Sequence, residues 1–153
     1  MSDHLSEERS GFICREYSRG FIAHLGMTVV TVDKGMLEAR VEVKPEFRQQ
    51  DGFTHAGVIA TLADHTAGYA AYTVIPEDHR ILTVEYKINF LRPAFGNTLV
   101  ARSRVIKPGR KLLACESEIY DGREDQEVLC AKAMLTMASV PAVDLNNRPA
   151  NGK

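Results

Sequence analysis

Between Gly52 and Tyr72 the chain reads GFTHAGVIATLADHTAGYAAY, a run of about five helical turns built largely of Ala, Gly, Thr and Leu. The spacing predicts a helix over residues 56–74, ended by Pro76. Everything beyond it has the two-residue period of strands. RILTVEYKINFLRP alternates through Leu82, Val84, Tyr86, Ile88 and Phe90. NTLVARSRVIKPG and RKLLACESEIYDG alternate on either side of a Pro108-Gly109 turn, and EVLCAKAMLTMAS follows. One long helix of small side chains ahead of a run of strands has few ways to bury itself. A sheet can curl closely around such a helix, because Ala and Gly keep its surface narrow.

The segment before the helix fits that plan. SGFICREYSRGFIAHLG places Phe12, Ile13, Tyr17, Phe21, Ile22 and Leu25 at helical spacing. We expect one helix of about four turns there, capped by Ser10 and stopped by Gly26. MTVVTVDKGMLEARVEVK then holds two alternating runs around DKG, a hairpin signature. Met36 or Leu37, then Ala39, Val41 and Val43, give its second strand a buried face. PEFRQQDGFT is a loop. The expected architecture is α+β, one antiparallel sheet curled around one long central helix with an additional N-terminal helix: the hot-dog arrangement. Residues 1–140 form the single expected domain, and 141–153 a flexible tail.

Bulk properties narrow the function classes. The 153 residues carry a net charge of −1, so no global field draws in nucleic acid or an anionic membrane. No apolar run approaches the roughly 20 residues of a membrane-spanning helix, and MSDHLSEERS lacks the apolar core of a signal peptide. Cys14, Cys115 and Cys130 are odd in number and show no metal spacing. A cytoplasmic location with free thiols, no metal and no bound cofactor is the corresponding expectation. Cys115 and Cys130 read as core fillers, and His65 and His79 as surface residues.

Asp64 stands out on the small-residue helix, since a buried carboxylate without partners is costly. It either faces solvent or does chemistry. Gly57 lies seven residues before it, on nearly the same helical face, but about 10 Å away along the axis. Unpaired N–H groups and the positive dipole end at the helix start favour a developing negative charge. One helix cannot bring its own start and its own Asp64 to one carbonyl. A second copy packed antiparallel about a two-fold axis can, which makes two equivalent sites in a dimer.

The motifs THAGVIATLADHTAGYAA, LTVEYKINFLRP and VIKPGRKLLACESEIYD resemble the phenylacetic-acid-pathway-type (PaaI-like) branch of the hot-dog acyl-CoA thioesterases, in the 4-hydroxybenzoyl-CoA thioesterase superfamily. The resemblance spans roughly residues 20–138. It implies hydrolysis of acyl-CoA thioesters with coenzyme A as part of the substrate and no other cofactor. It implies a homodimer, with dimers pairing into a homotetramer. In the family's His-Gly-Gly pattern the second glycine falls on Gly57 and the acid on Asp64; Ala56 replaces the first glycine and still supplies a backbone N–H. The resemblance makes Asp64 general base or nucleophile, and Ala56 and Gly57 N–H oxyanion donors. Gln49, with Gln50 adjacent, contacts the thioester or the attacking water; Thr83 holds that water, and His55 orients the loop. Arg92, Lys107, Arg110 and Lys111 are the implied coenzyme A phosphate ligands.

Such residue types suit the chemistry. A thioester carbonyl needs donors for its oxyanion and a carboxylate to attack or to activate water. Two other readings share the fold: a non-catalytic acyl-CoA-binding module, and a hydratase or dehydratase using His55 with an acid. Phe12, Tyr17, Phe21, Tyr69 and Tyr72 suit either an apolar or aryl acyl pocket or ordinary core packing.

Overall fold

The computed structural model describes residues 4–146. Helix α1 (Glu7–Tyr17) and the short α2 (Phe21–Leu25) lead into strands β1 (Thr28–Asp33) and β2 (Met36–Glu42). A 3-10 turn at Pro45–Phe47 precedes α3 (Ala56–Tyr72). Strands β3 (His79–Phe90), β4 (Thr98–Pro108), β5 (Leu112–Arg123) and β6 (Gln126–Pro141) follow, and α4 (Ala142–Asn146) closes the described chain. The six strands form one antiparallel sheet ordered β1-β2-β4-β5-β6-β3.

The sheet wraps α3 with its apolar face. Leu37, Ala39 and Val41 of β2, Leu99 and Ala101 of β4, Leu113, Cys115 and Ile119 of β5, and Ala133, Leu135 and Met137 of β6 are buried. Against them lie Leu62, Ala63, Ala67, Ala70 and Ala71 of α3. Small side chains on the helix let the strands approach it from several directions. The same alternation puts charge on the outer face, where Arg102 pairs with Glu38 and Glu127, and Lys132 with Glu116 and Glu118. This is the expected hot-dog fold. Cys115 and Cys130 are core fillers, and burial pushes both thiols up to about 11.

Three expectations need correction. The N-terminal segment forms two helices rather than one of four turns. Gly20 sits at φ 57°, outside right-handed helix, and breaks the run, while Ser6 rather than Ser10 caps α1 by accepting from Arg9 N at 3.1 Å. The break turns Phe21 outward, leaving it 64% exposed. The proposed flexible tail begins with structure: residues 142–146 are helical, and Ala142 N donates to Asp78 O at 2.7 Å. Residues 147–153 lie outside the described residues.

β3 departs from the alternating burial its sequence suggests. Leu82, Val84, Tyr86 and Phe90 are all exposed, and only Ile81 and Ile88 are packed against the core. The cause is topological. β3 is the last strand of the sheet, bonded to β6 on one side and unpaired on the other. An unpaired edge carrying that much apolar surface is a template for another strand.

Candidate active site

The start of α3 is shaped by His55. As N-cap it has extended backbone (φ −62°, ψ 136°), and its Nδ1 accepts from Gly57 N at 2.9 Å. A Cβ on Gly57 would stand 3.0 Å from that nitrogen, so glycine is what lets the imidazole fold over the helix start. The Gly57 N–H is therefore engaged, and of the two expected oxyanion donors only Ala56 N–H is left, at a first helical position with no intrahelical acceptor. Among the described residues no residue other than glycine has positive φ, so alanine at 56 is accommodated without strain.

Gln49 lies in the loop leading to that helix. Its N–H donates to Phe53 O, and its carbonyl accepts from Gly52 N, both at 2.9 Å. Gly52 makes the tight return at φ 87°. Gln49, His55 and Ala56 line an open groove of about 430 Å³ together with Phe90 and Arg92.

Asp64 lies half-buried two turns further along α3. Thr83 Oγ1 donates to its Oδ1 at 2.8 Å. The register of β3 on β6 slips between Thr83 and Glu85, a bulge that re-aims side chains at the free edge of the sheet beside Asp64. On one side of the carboxylate is a cavity of about 210 Å³ lined by Phe12, Gly68, Tyr69 and Tyr72. On the other is a broad groove along Gly57, Ala60, Thr61 and Asp64, walled by Phe21 and Tyr86.

Expected at the surface, His65 is instead half-buried: its Nε2 donates to Tyr17 O at 2.9 Å and its ring meets Tyr17 edge-on at 4.4 Å between centroids. Burial pulls the imidazole below its usual range, so at neutral pH it is a neutral donor. Tyr17 OH bonds Thr66 Oγ1 at 3.0 Å, and burial raises its phenol well above the ordinary value. Burial also pushes Tyr69 up to about 12. These rings tie α1 to α3 and hold one wall of the cavity beside Asp64. His79 is half-buried too, beside Asp78.

The chain thus separates the predicted residues into two groups. Asp64 and Thr83 stand together at the middle of α3, while Gln49, His55, Ala56 and Gly57 gather at its start. The basic candidates divide the same way. Arg92 follows Phe90, which pairs with Ala131, and donates to Leu129 O at 2.9 Å. Lys107, Arg110 and Lys111 surround the β4–β5 turn, next to Leu112 and its partner Ala138. Seven residues of β6 separate these pairings, roughly 23 Å. Within one subunit the four are not a single cluster. Among the described residues no group of three or more His, Cys, Asp or Glu is placed to hold a metal, and no helix is long and apolar enough to cross a membrane.

A curled antiparallel sheet around a small-residue helix is also what known proteins show. The model of the Thioesterase superfamily matches residues 51–128, and the chain belongs to that family. A Saccharolobus solfataricus protein with no more specific name than esterase is 30% identical over 112 residues, 73% of this chain and 72% of its own. The 1,4-dihydroxy-2-naphthoyl-CoA hydrolase of Listeria monocytogenes is 29% identical over 106 residues, 69% of this chain and 85% of its own. A thioesterase family protein from Silicibacter pomeroyi superposes with a TM-score of 0.83 at 33% identity, over 86% of this chain and 98% of that one. Thioester hydrolysis is the chemistry of the class.

Proposed function

We propose that the protein hydrolyses acyl-CoA thioesters to a carboxylic acid and free coenzyme A, in the manner of the PaaI-like branch, as a dimer with two composite sites. The observation that carries this reading is the Asp64–Thr83 pair set two helical turns from a helix start with an open N–H, on one accessible face. An antiparallel copy of α3 across that face puts each Asp64 opposite the partner's helix start. The unpaired edge of β3 supports the same arrangement. Antiparallel pairing of two β3 edges near Tyr86 and Lys87 brings the Thr83 end of one strand to the Phe90 end of the other. Arg92 of the partner subunit then approaches the end where Lys107, Arg110 and Lys111 lie, supplying the anion site for coenzyme A phosphates that one subunit lacks. Pairing of dimers into a tetramer completes the proposed assembly.

In this mechanism the acyl group occupies the cavity lined by Phe12, Tyr69 and Tyr72, whose size suits a ring or short chain. The thioester carbonyl lies against the partner's Ala56 N–H, with Gln49 positioning it or the water. The Gly57 N–H joins as a second donor only when the His55 ring turns away from it. Asp64 attacks the carbonyl carbon directly, or takes a proton from water that does. Thr83 has its hydroxyl hydrogen on Asp64, leaving its oxygen lone pairs to hold the water. No metal or further cofactor takes part in any of these steps.

Free-thiol release from a panel of short, medium, long and aryl acyl-CoAs tests the proposal. Turnover that is lost in Asp64→Asn supports it. Tight acyl-CoA binding without thiol release would mark a binding module, and hydration of a 2-enoyl-CoA without thiol release would mark a hydratase.

A further inference from the structure

Gln49 and His55 sit on a loop that one backbone bond and one ring pair join to a second segment, and a single side chain ties the two far more extensively. The Arg48 guanidinium donates through Nη1 to Gly52 O at 3.0 Å and Phe95 O at 3.3 Å, and through Nη2 to Gly96 O at 3.0 Å and Asn97 Oδ1 at 3.1 Å. Its partners belong to two chain segments, and only a planar fork with several donors reaches all of them at once.

The far side of the second segment is equally constrained. Asp121, fully buried, accepts from Phe95 N at 3.1 Å, Gly96 N at 2.8 Å and Arg123 Nε at 2.8 Å. The Phe95–Gly96 backbone is thus held by its N–H groups on a β5 carboxylate and by its carbonyls on Arg48. Gly96 has no room for a side chain, since a Cβ would stand 2.1 Å from Gly122 O. Phe53 and Phe95 meet edge-on at 5.6 Å, and Thr54 N donates to Ala94 O at 2.9 Å, closing the two segments along their length.

We propose that Arg48 is a positioning residue for the carbonyl-polarising half of the site. It anchors the Gln49-to-His55 loop, through the Phe95–Asn97 backbone, to the buried Asp121 of β5. The assignment rests on the reading of the site as a thioester hydrolase. Its reach is specific, because Arg48 touches nothing in the Asp64–Thr83 half. Losing it loosens the groove that receives the carbonyl while leaving the carboxylate, the acyl cavity and the core as they are. The effect therefore belongs on kcat more than on KM, because a donor that is misplaced by a fraction of an ångström fails chiefly in the transition state.

Arg48→Met and Arg48→Lys, assayed beside the full-length wild-type chain, test this in two arms. The first is kinetic, with the best acyl-CoA of the panel. Arg48→Met is expected to retain its fold and assembly, to lose about 10- to 100-fold in kcat and to keep KM within about threefold. Lysine restores only part of the loss, since an ammonium does not span the four acceptors. The second arm is amide exchange, which needs no activity: exchange speeds up in residues 49–55 and at Gly96, and not in α3 beyond its first turn. If Arg48→Met does not fold, Asn97→Ala, which removes one acceptor, is expected to show the same local acceleration with a smaller loss of kcat. Unchanged kcat in a folded Arg48→Met, or unchanged exchange over 49–55, overturns the assignment. A wild-type chain that releases no thiol from any acyl-CoA overturns the hydrolase reading instead, while the exchange arm still decides the clamp.

Discussion

Thr83 Oγ1 reaches Asp64 Oδ1 at 2.8 Å across the gap between the edge strand and the central helix. The contact joins the one acid on the helix to the bulged edge of the sheet, and it sets the direction in which the carboxylate points. Asp64→Asn keeps the shape and removes the base or nucleophile, and kcat is expected to fall at least about 10²-fold with the assembly intact. Thr83→Val, which removes only the hydroxyl, is expected to lower kcat by about tenfold. Steady-state thiol release on the folded variants checks both. Near-normal turnover in Asp64→Asn would remove Asp64 from the mechanism.

Gly57→Ala tests the helix start. The added methyl lands 3.0 Å from His55 Nδ1, so the imidazole must shift and the N-cap bond is weakened. The expected net change is small, since loss of a helix cap costs about 1 kcal/mol and replacing glycine by alanine inside a helix returns up to about 1 kcal/mol. His55→Ala removes the same bond with no such return and is expected to cost about 1 kcal/mol. Denaturant midpoints of the two variants measure this. A His55→Ala protein as stable as wild type would contradict the capping role of the imidazole.

Acid sensitivity follows from His65. Burial holds its folded-state pKa below the ordinary value of 6.5, against smaller opposing effects from the Tyr17 carbonyl and Asp64. The sign is fixed by proton binding. Below about 6.5 the unfolded chain takes up a proton that the folded one refuses, so stability falls with falling pH until the folded-state pKa is passed. Wild type is expected to lose stability from about pH 6.5 downward, and His65→Gln to lose that part of the slope. Hydrogen bonds from Arg104 to Glu116 and from Lys132 to Glu118 hold these two carboxyls below their ordinary range, so they titrate at lower pH. Urea midpoints at pH 8, 7, 6 and 5 separate the contributions. Parallel curves for wild type and His65→Gln would contradict the assignment.

Much of this architecture was legible in the sequence. The small-residue helix, the DKG hairpin and the Pro108-Gly109 turn all report local geometry, and local geometry is what periodicity and turn residues encode. The break at Gly20 was less visible, because the apolar spacing of Ile13, Tyr17, Ile22 and Leu25 continues through it. Arg48, Asp121 and the burial of His65 were not visible. Each depends on partners brought from distant strands and helices, and no local pattern marks them. The exposure of β3 has a similar cause: Leu82, Val84 and Tyr86 spell a core strand, and only the strand order shows that they stand at an edge.

The central claim is that each site takes its carboxylate from one subunit and its helix start from the other. Mixing two inactive chains tests it directly. Asp64→Asn retains a sound helix start, and Gln49→Ala retains a sound carboxylate. Unfolded together and refolded as a mixture, half of the dimers are mixed, and one of the two sites in each has only native groups. The prediction is recovery to about one quarter of wild-type activity from two parents that are each nearly inactive. No recovery in mixed dimers whose formation is verified by mass would place the whole site within one subunit and contradict the account.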